Sequence, residues 1–354
     1  MRPTFEGKRV LITGGTGSLG KVLVKRLLNG AHGVPASVTV FSRDEAKQHF
    51  MRLHYQQRTV ATDEVIFRNF QQRLRFRIGD VRDYASLAAA LCDTDIVFNA
   101  AALKQVPSCE YFPWEAVRTN VEGAHNIVRA ISELGLPVQC VVGISTDKAC
   151  KPVNVMGMTK ALQERVFIQA NLSCRKTRFV CARYGNVLAS RGSVIPLFLE
   201  QIKHGGPVTI TTPDMTRFLL TLEDAVDTII AAVEHGEPGD TFIPRVPAAR
   251  IVDIAEALIG DRQIKTEVVG VRPGEKIHES LISEEEATRT VTKESWYVVR
   301  PMLPELLASK PISALDGEYS SDRDLLTSEQ AHELLLRNNL LSAAGIEDEQ
   351  ELLA

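Results

Sequence analysis

Arg9-Val10-Leu11-Ile12-Thr13 runs directly into Gly14-Gly15-Thr16-Gly17-Ser18-Leu19-Gly20, and a helical pattern from about Leu19 to Leu28 follows at once. A β-rich run, a glycine-paced loop and an amphipathic helix in immediate succession constrain the fold more than any other stretch. They predict a buried strand, a tight turn and a helix packed back against the strand's sheet. Glycines at 14, 17 and 20 let the backbone turn and approach a pyrophosphate, while the first N–H groups and the dipole of the helix face the anion. The unit reads as a dinucleotide cradle formed by Thr13, Gly14, Gly17, Ser18, Leu19 and Gly20.

The alternation continues along the chain. Val38-Thr39-Val40-Phe41, Arg75-Phe76-Arg77-Ile78, Asp95-Ile96-Val97-Phe98, Cys140-Val141-Val142-Gly143-Ile144 and Phe179-Val180-Cys181-Ala182 read as successive strands, with helical segments between most of them. Such a pattern predicts an α/β fold with a doubly wound parallel sheet, whose ligands sit at the carboxyl ends of the strands. From about Asn186 the pattern loosens into a strand at Val208-Thr209-Ile210, helices near Leu222 to Glu234 and Ile251 to Ile259, and a strand at Lys265-Thr266-Glu267-Val268-Val269. A smaller lobe over the sheet edge is expected there. Beyond Glu284, Trp296-Tyr297-Val298-Val299 and a final helix near Ser328 to Leu340 carry no chemical motif and are expected to serve packing or subunit contact. The expected organisation is a mainly nucleotide-binding domain over 1–185, a mainly substrate-binding lobe over 186–285, an extension over 286–342 and a loose acidic tail over 343–354.

Composition excludes several function classes. At 354 residues with 44% hydrophobic and 24% charged residues, the chain can bury a large core and shows no bias toward disorder. A formal net charge of −3 gives no basic field for a nucleic-acid backbone, so no nucleic-acid partner is expected. The six cysteines include no CxxC and the eight histidines show no ligand spacing beside them, which predicts reduced thiols and no metal. The N-terminus lacks a signal-peptide pattern and no apolar run reaches the length of a membrane span, so a cytoplasmic location without a membrane partner is expected.

Two stretches refine the ligand. The second strand ends in Ser42-Arg43, with Lys47 one helical turn later, where an NAD site would place a carboxylate against the ribose 2′-hydroxyl. A guanidinium and a hydroxyl there suit a 2′-phosphate, which favours NADP over NAD; Asp44 would repel that phosphate if it pointed inward. Asp80-Val81 after the third strand and Ala100-Ala101-Ala102 after the fourth are placed to contact adenine and flank the dinucleotide.

The second is Ser145-Thr146-Asp147-Lys148, followed by Met156-Gly157-Met158-Thr159-Lys160. In an NAD(P)-dependent short-chain dehydrogenase/reductase, Tyr and Lys four residues apart present a phenol and an ammonium on one helix face. Here the tyrosine position holds Met156, whose thioether cannot exchange a proton near neutral pH. The chemistry is therefore absent or carried by other groups. Thr146, Asp147 and Lys148 are the adjacent candidates. An isolated Asp-Lys dipeptide is commonly a solvated turn, but this one directly follows Ser145 and lies twelve residues before Lys160.

Gly14 to Gly20, Asn99-Ala100-Ala101-Ala102, Asn120 in Thr119-Asn120-Val121, Ser145 and Lys160 together resemble the extended short-chain dehydrogenase/reductase family over roughly residues 7 to 285. That family's fold is Rossmann-type. More narrowly, Ala102-Leu103-Lys104-Gln105-Val106-Pro107, Ser145-Thr146-Asp147-Lys148-Ala149, Arg183-Tyr184-Gly185-Asn186-Val187 and Arg272-Pro273-Gly274-Glu275-Lys276 look like the UDP-N-acetylglucosamine 4,6-dehydratases of bacterial surface-polysaccharide synthesis. Several of those also carry methionine at the tyrosine position, and this chain resembles their short, soluble members.

The resemblance implies a closed redox cycle on a UDP-sugar. Hydride leaves sugar carbon 4 for NADP⁺, the ketone acidifies carbon 5, water leaves from carbon 6 and hydride returns there, giving a 4-keto-6-deoxy sugar. Lys148 is then the expected carbon 5 base, its pKa lowered by cationic neighbours such as Lys160 and an oxidised nicotinamide. Asp147 is expected to protonate the departing hydroxyl, with Thr146 and Asp147 managing the 4-hydroxyl proton. The resemblance assigns Asn120, Ser145 and Lys160 to the cofactor, Lys160 as a ribose ligand. Arg191, Arg217 and Arg272 would face the diphosphate or uridine, Lys104 and Asn186 would line the sugar pocket, Glu275 would hold a ribose hydroxyl, and Met156 would pack near the substrate. A homo-oligomer is implied as well.

Two alternatives stand beside this reading. A sugar-nucleotide 4-epimerase or oxidoreductase would share cofactor and fold, with Asp147-Lys148 and the absent tyrosine arguing against it. A non-catalytic NADP-binding scaffold would explain the lost tyrosine but not the retention of Thr146, Asp147, Lys148 and Lys160. Carbon 5 may be reprotonated from either face of a planar intermediate, so inversion there stays open.

Overall fold

The β-rich runs of the first half fold as β1 (Arg9–Thr13), β2 (Ser37–Ser42), β3 (Leu74–Ile78), β4 (Ile96–Asn99), β5 (Cys140–Thr146) and β6 (Arg178–Tyr184). The later strands are β7 (Val208–Ile210), β8 (Thr216–Phe218), β9 (Thr241–Pro244), β10 (Ala248–Arg250), β11 (Thr266–Val268), β12 (Ser280–Ile282), β13 (Thr290–Lys293), β14 (Trp296–Val299) and β15 (Tyr319–Ser320). The computed structural model describes residues 3–57, 71–188, 193–307, 309 and 311–341; Arg191 and the tail over 343–354 lie outside the described residues.

The main sheet has nine strands in the order β13-β14-β9-β6-β5-β4-β1-β2-β3. From β3 to β9 all pairings are parallel, and the antiparallel β13–β14 hairpin completes the far edge. This is the Rossmann-type doubly wound sheet that the sequence predicts. Side chains alternate across it with the period of two that strand geometry imposes. Val10, Ile12, Val142 and Val180 face the helices Ser18–Asn29 and Leu222–His235. Leu11, Val97, Val141 and Phe179 face the helices Tyr84–Leu91, Gly123–Leu134 and Val155–Ser173. Helices therefore cover both faces, as a parallel sheet requires.

The second half does not form one lobe. β9 was not legible in the sequence; with the helix Leu222–His235 it returns to the main sheet, so residues within 186–285 complete the layer expected over 1–185. The smaller lobe is built around Ile195, Phe198, Val208, Ile210, Ile254, Leu258, Ala331 and Leu335. Its last helix, Ser328–Arg337, comes from the stretch expected to be an extension. The rest of that stretch serves packing: β13 and β14 widen the sheet, and β15 pairs with β12. Among the described residues, no helix is long and apolar enough to cross a membrane.

Candidate active site

The carboxyl ends of β1, β2, β4, β5 and β6 open on a cavity of about 600 Å³. The size lies within the range of small-molecule and cofactor sites. Its wall includes Gly14, Gly17, Ser18, Leu19, Gly20, Ser42, Arg43, Lys47, Asp80, Val81, Ala100, Ala101, Ala102, Lys104, Ser145, Thr146, Lys148, Met156 and Lys160. Most of the residues singled out by the sequence are thus brought together around one space.

The glycine loop is sterically determined. Gly14 sits at φ +66°, and a Cβ there would lie 2.8 Å from the Ala101 backbone. A Cβ on Gly20 would lie 2.5 Å from the Gly15 backbone, so the helix could not seat against the turn. No side chain caps the helix at Gly17, which leaves its leading N–H groups for an anion. Arg43 keeps 61% of its side chain exposed beside the cavity, 3.9 Å from Asp80. Asp44 is engaged by Lys47: its Oδ1 accepts from the Lys47 N–H at 3.0 Å and its Oδ2 lies 3.2 Å from Lys47 Nζ. Asp80 accepts hydrogen bonds from the Arg82 guanidinium; burial would raise its pKa, but Arg82 and the charge of Arg43 hold it below the usual range. The cradle, the exposed guanidinium and the cavity volume all fit a nicotinamide dinucleotide.

Two residues expected at the cofactor stand behind the cavity wall. Thr13 is fully buried; its hydroxyl donates to Asn99 at 2.8 Å and accepts from the Ala101 N–H. Asn120, also fully buried, occupies a π-helical turn and clamps the loop after β4 by accepting from the Leu103 N–H and donating to the Leu103 carbonyl. Both shape the wall rather than line it.

The end of β5 carries Thr146, Asp147 and Lys148, the candidates for proton chemistry. Thr146 leads into a single 3₁₀ turn, Asp147–Ala149, which turns Asp147 inward and leaves Lys148 on the cavity. Asp147 is 1% exposed; its Oδ1 accepts from the Thr146 hydroxyl at 2.7 Å, the Lys148 N–H at 2.8 Å and Lys148 Nζ at 3.1 Å. Its Oδ2 is buried without a partner. Lys148 Nζ also donates to Asn186 at 3.1 Å and lies 3.7 Å from Glu279. Burial would lower the Lys148 pKa, but the carboxylates of Asp147 and Glu279 outweigh it and raise the pKa.

That direction corrects the expectation of a lysine neutralised by cations. Lys160 does not supply the push: its ammonium is buried against the Ile144 carbonyl and Gln163, and burial brings its pKa down to about 8. Arg217 does oppose the carboxylates, too weakly to prevail.

Met156 is buried in the wall with Cys109 and Ala116. One phenol does line the cavity, Tyr184, which pairs in register with Thr146; burial pushes its pKa up, which makes it a poor proton exchanger. Ser145 turns its hydroxyl to the carboxylate of Glu164.

The remaining residues expected at the substrate are more dispersed. The Arg217 guanidinium is spent on the carbonyls of Thr216, Lys276 and Ile277. Glu275 accepts from the Arg272 N–H, and that turn is tied to the helix start at Val155 by Asn154, which donates to the Gly274 carbonyl at 2.9 Å. Glu279 was missed by sequence reasoning. It follows Glu275-Lys276-Ile277-His278, a polar run that reads as solvated loop, yet it is 3% exposed with a partnerless Oε2. Among the described residues, no group of His, Cys, Asp and Glu could hold a metal ion.

A family model described as polysaccharide biosynthesis protein matches residues 10–301. A UDP-glucose 4-epimerase of Rickettsia bellii is 43% identical over 345 residues, covering 94% of this chain and 96% of that protein. The X-ray structure of Pen from Bacillus thuringiensis is similar with 35% identity and a TM-score of 0.84, covering 96% of this chain and 99% of that one. The structure of DesIV, a dTDP-glucose 4,6-dehydratase from Streptomyces venezuelae, shares the fold at 20% identity with a TM-score of 0.64, covering 95% of this chain and 99% of that one.

Proposed function

This chain belongs to the polysaccharide biosynthesis protein family, and from that premise we propose that it modifies a sugar nucleotide, as an NADP-dependent 4,6-dehydratase of a UDP-N-acetylhexosamine such as UDP-N-acetylglucosamine. The observation that carries the reading is the Lys148 ammonium on the cavity between two buried carboxylates, Asp147 and Glu279, each with an oxygen that accepts no hydrogen bond. A 4-epimerase needs one proton exchange, at the 4-hydroxyl. Elimination across carbons 5 and 6 needs a base and an acid besides. A site with Met156 at the helix position of the tyrosine, yet with three ionisable groups concentrated beside the sugar's place, suits the second demand.

A bound NADP would accept the carbon 4 hydride and return it to carbon 6. The glycine loop and helix start would hold its pyrophosphate, and Arg43 its 2′-phosphate. Thr146 lines the cavity and donates to Asp147 at 2.7 Å, so the 4-hydroxyl proton can pass through Thr146 to Asp147. Lys148, in its neutral form, takes the carbon 5 proton. Asp147 gives its proton, again through Thr146, to the departing 6-hydroxyl, which leaves as water. Lys148 then returns its proton to carbon 5, and which face receives it decides retention or inversion. Met156 contributes only apolar wall.

The second reading is 4-epimerisation, favoured by the name of the Rickettsia bellii relative at 43% identity. One incubation separates the two. Purified protein charged with NADP⁺, and in parallel with NAD⁺, is mixed with UDP-N-acetylglucosamine without reductant, and products are followed by mass spectrometry and NMR. Loss of one water is expected, faster with NADP⁺. A product of unchanged mass inverted at carbon 4 would replace the dehydratase with the epimerase.

A further inference from the structure

Lys148 poses a problem that the proposed cycle leaves open: it must be neutral to take a proton, while its surroundings favour the ammonium. Lysine has three N–H donors. Asp147 and Asn186 each take one at 3.1 Å, and the nearest further acceptor given by the geometry is Glu279 Oε1 at 3.7 Å. Glu279 lies immediately before β12, off the main sheet, and its own N–H donates to the Ser321 hydroxyl at 3.0 Å. The charged groups facing it are Asp147 and Lys148 from the turn after β5, Arg217 from β8 and Lys276 from its own loop, whose Nζ is 3.9 Å from Oε2. Oε2 has no hydrogen-bond partner. A buried carboxylate left so is costly unless it serves as a proton's destination.

We propose that Glu279 holds the proton that Lys148 must shed before it can act as the carbon 5 base. The step balances within the cluster: the Lys148 ammonium and the Glu279 carboxylate become a neutral amine and a carboxylic acid. The amine takes the carbon 5 proton and later returns it, and Glu279 then hands its proton back. Burial and the negative charge of Asp147 both favour the protonated form of Glu279, which makes it a ready acceptor. Glu279 acts through Lys148 and is a positioning residue. The inference rests on the dehydratase reading.

The test is the pH profile of carbon 5 hydrogen loss in single turnovers on UDP-N-acetylglucosamine, for wild type, Glu279→Gln and Glu279→Asp. An internal proton transfer does not depend on the bulk proton concentration, so the wild-type profile should be flat around neutrality. In Glu279→Gln the lysine must lose its proton to solvent, and the rate should climb about tenfold per pH unit. Glu279→Asp should stay flat at a lower level. Parallel profiles for wild type and Glu279→Gln overturn the proposal, whatever their relative height, because damage to folding alone scales a profile without tilting it. If Glu279→Gln does not fold, a tilted Glu279→Asp profile overturns it instead. A wild type that neither loses carbon 5 hydrogen nor releases water overturns the dehydratase reading itself, whereas either adverse profile alongside wild-type elimination counts against Glu279 alone.

Discussion

Two buried charge clusters lie within one strand of each other, and they are built differently. In the first, Arg183 on β6 binds Glu164 through Nε at 2.9 Å and Nη2 at 2.6 Å, and Glu286 through Nη1 at 2.7 Å and Nη2 at 3.0 Å. Ser145 and the Ser283 N–H complete the set, so each of the four carboxylate oxygens has a partner. In the second, Asp147, Lys148 and Glu279 make looser contacts, and two carboxylate oxygens accept no hydrogen bond. The residue types are nearly the same. Saturation separates a cluster that holds the fold from one that can still accept a proton or a ligand.

The largest effect that would break this contrast is on rate. Lys148→Ala should lower elimination per folded molecule by at least ~10³-fold, the upper range for losing a general base. Full turnover by that variant would place the chemistry elsewhere. Arg183→Met should do the reverse. It strands two buried carboxylates and should cost about 3–5 kcal/mol in urea unfolding, with the rate per folded molecule kept within about tenfold.

That variant also carries a pH signature. In wild type, burial would raise the Glu286 pKa, but Arg183 holds it down at about 2 against an ordinary 4.5. A depressed folded-state pKa contributes stability above the unfolded value and loses it as pH falls through the folded one. The wild type should therefore lose this contribution between about pH 4.5 and 2, and Arg183→Met should not.

Ser145→Ala sharpens the comparison with the smallest change. Ser145 lines the cavity, yet its hydroxyl donates to Glu164, so the saturated cluster claims it. Removal should cost about 1–2 kcal/mol of stability, with a rate loss below ~10-fold. A drop of ~10²-fold or more in carbon 4 oxidation, with stability intact, would assign Ser145 to the reacting cluster instead.

Five of the first six strands were legible because each is a short, largely buried apolar run with parallel neighbours, and β3, at the sheet edge, through the alternation of Leu74, Phe76 and Ile78 with Arg75 and Arg77. β9 was not. Thr241-Phe242-Ile243-Pro244 is four residues ending in proline, and only its pairing with β6 and β14 makes it a strand. The cofactor wall was legible through glycine, whose steric demand is local. The charge of Lys148 was misread for the opposite reason: the acid that helps set it, Glu279, is far away in sequence and sits in a run that looks solvated. Thr13 and Asn120 were read as contacts although their partners, Asn99 and Leu103, make them braces.

Glu279 reaches the turn after β5 from a segment whose strand, β12, pairs only with β15 and takes no part in the nine-stranded sheet. For an engineer the molecule is therefore two separable parts. On the proposed reading, the dinucleotide hold is written into the sheet and its first loop, while one member of the acid–base cluster, Glu279, is written into residues 276–282, outside the strands of that sheet. Reaction outcome and cofactor choice can then be tuned one at a time.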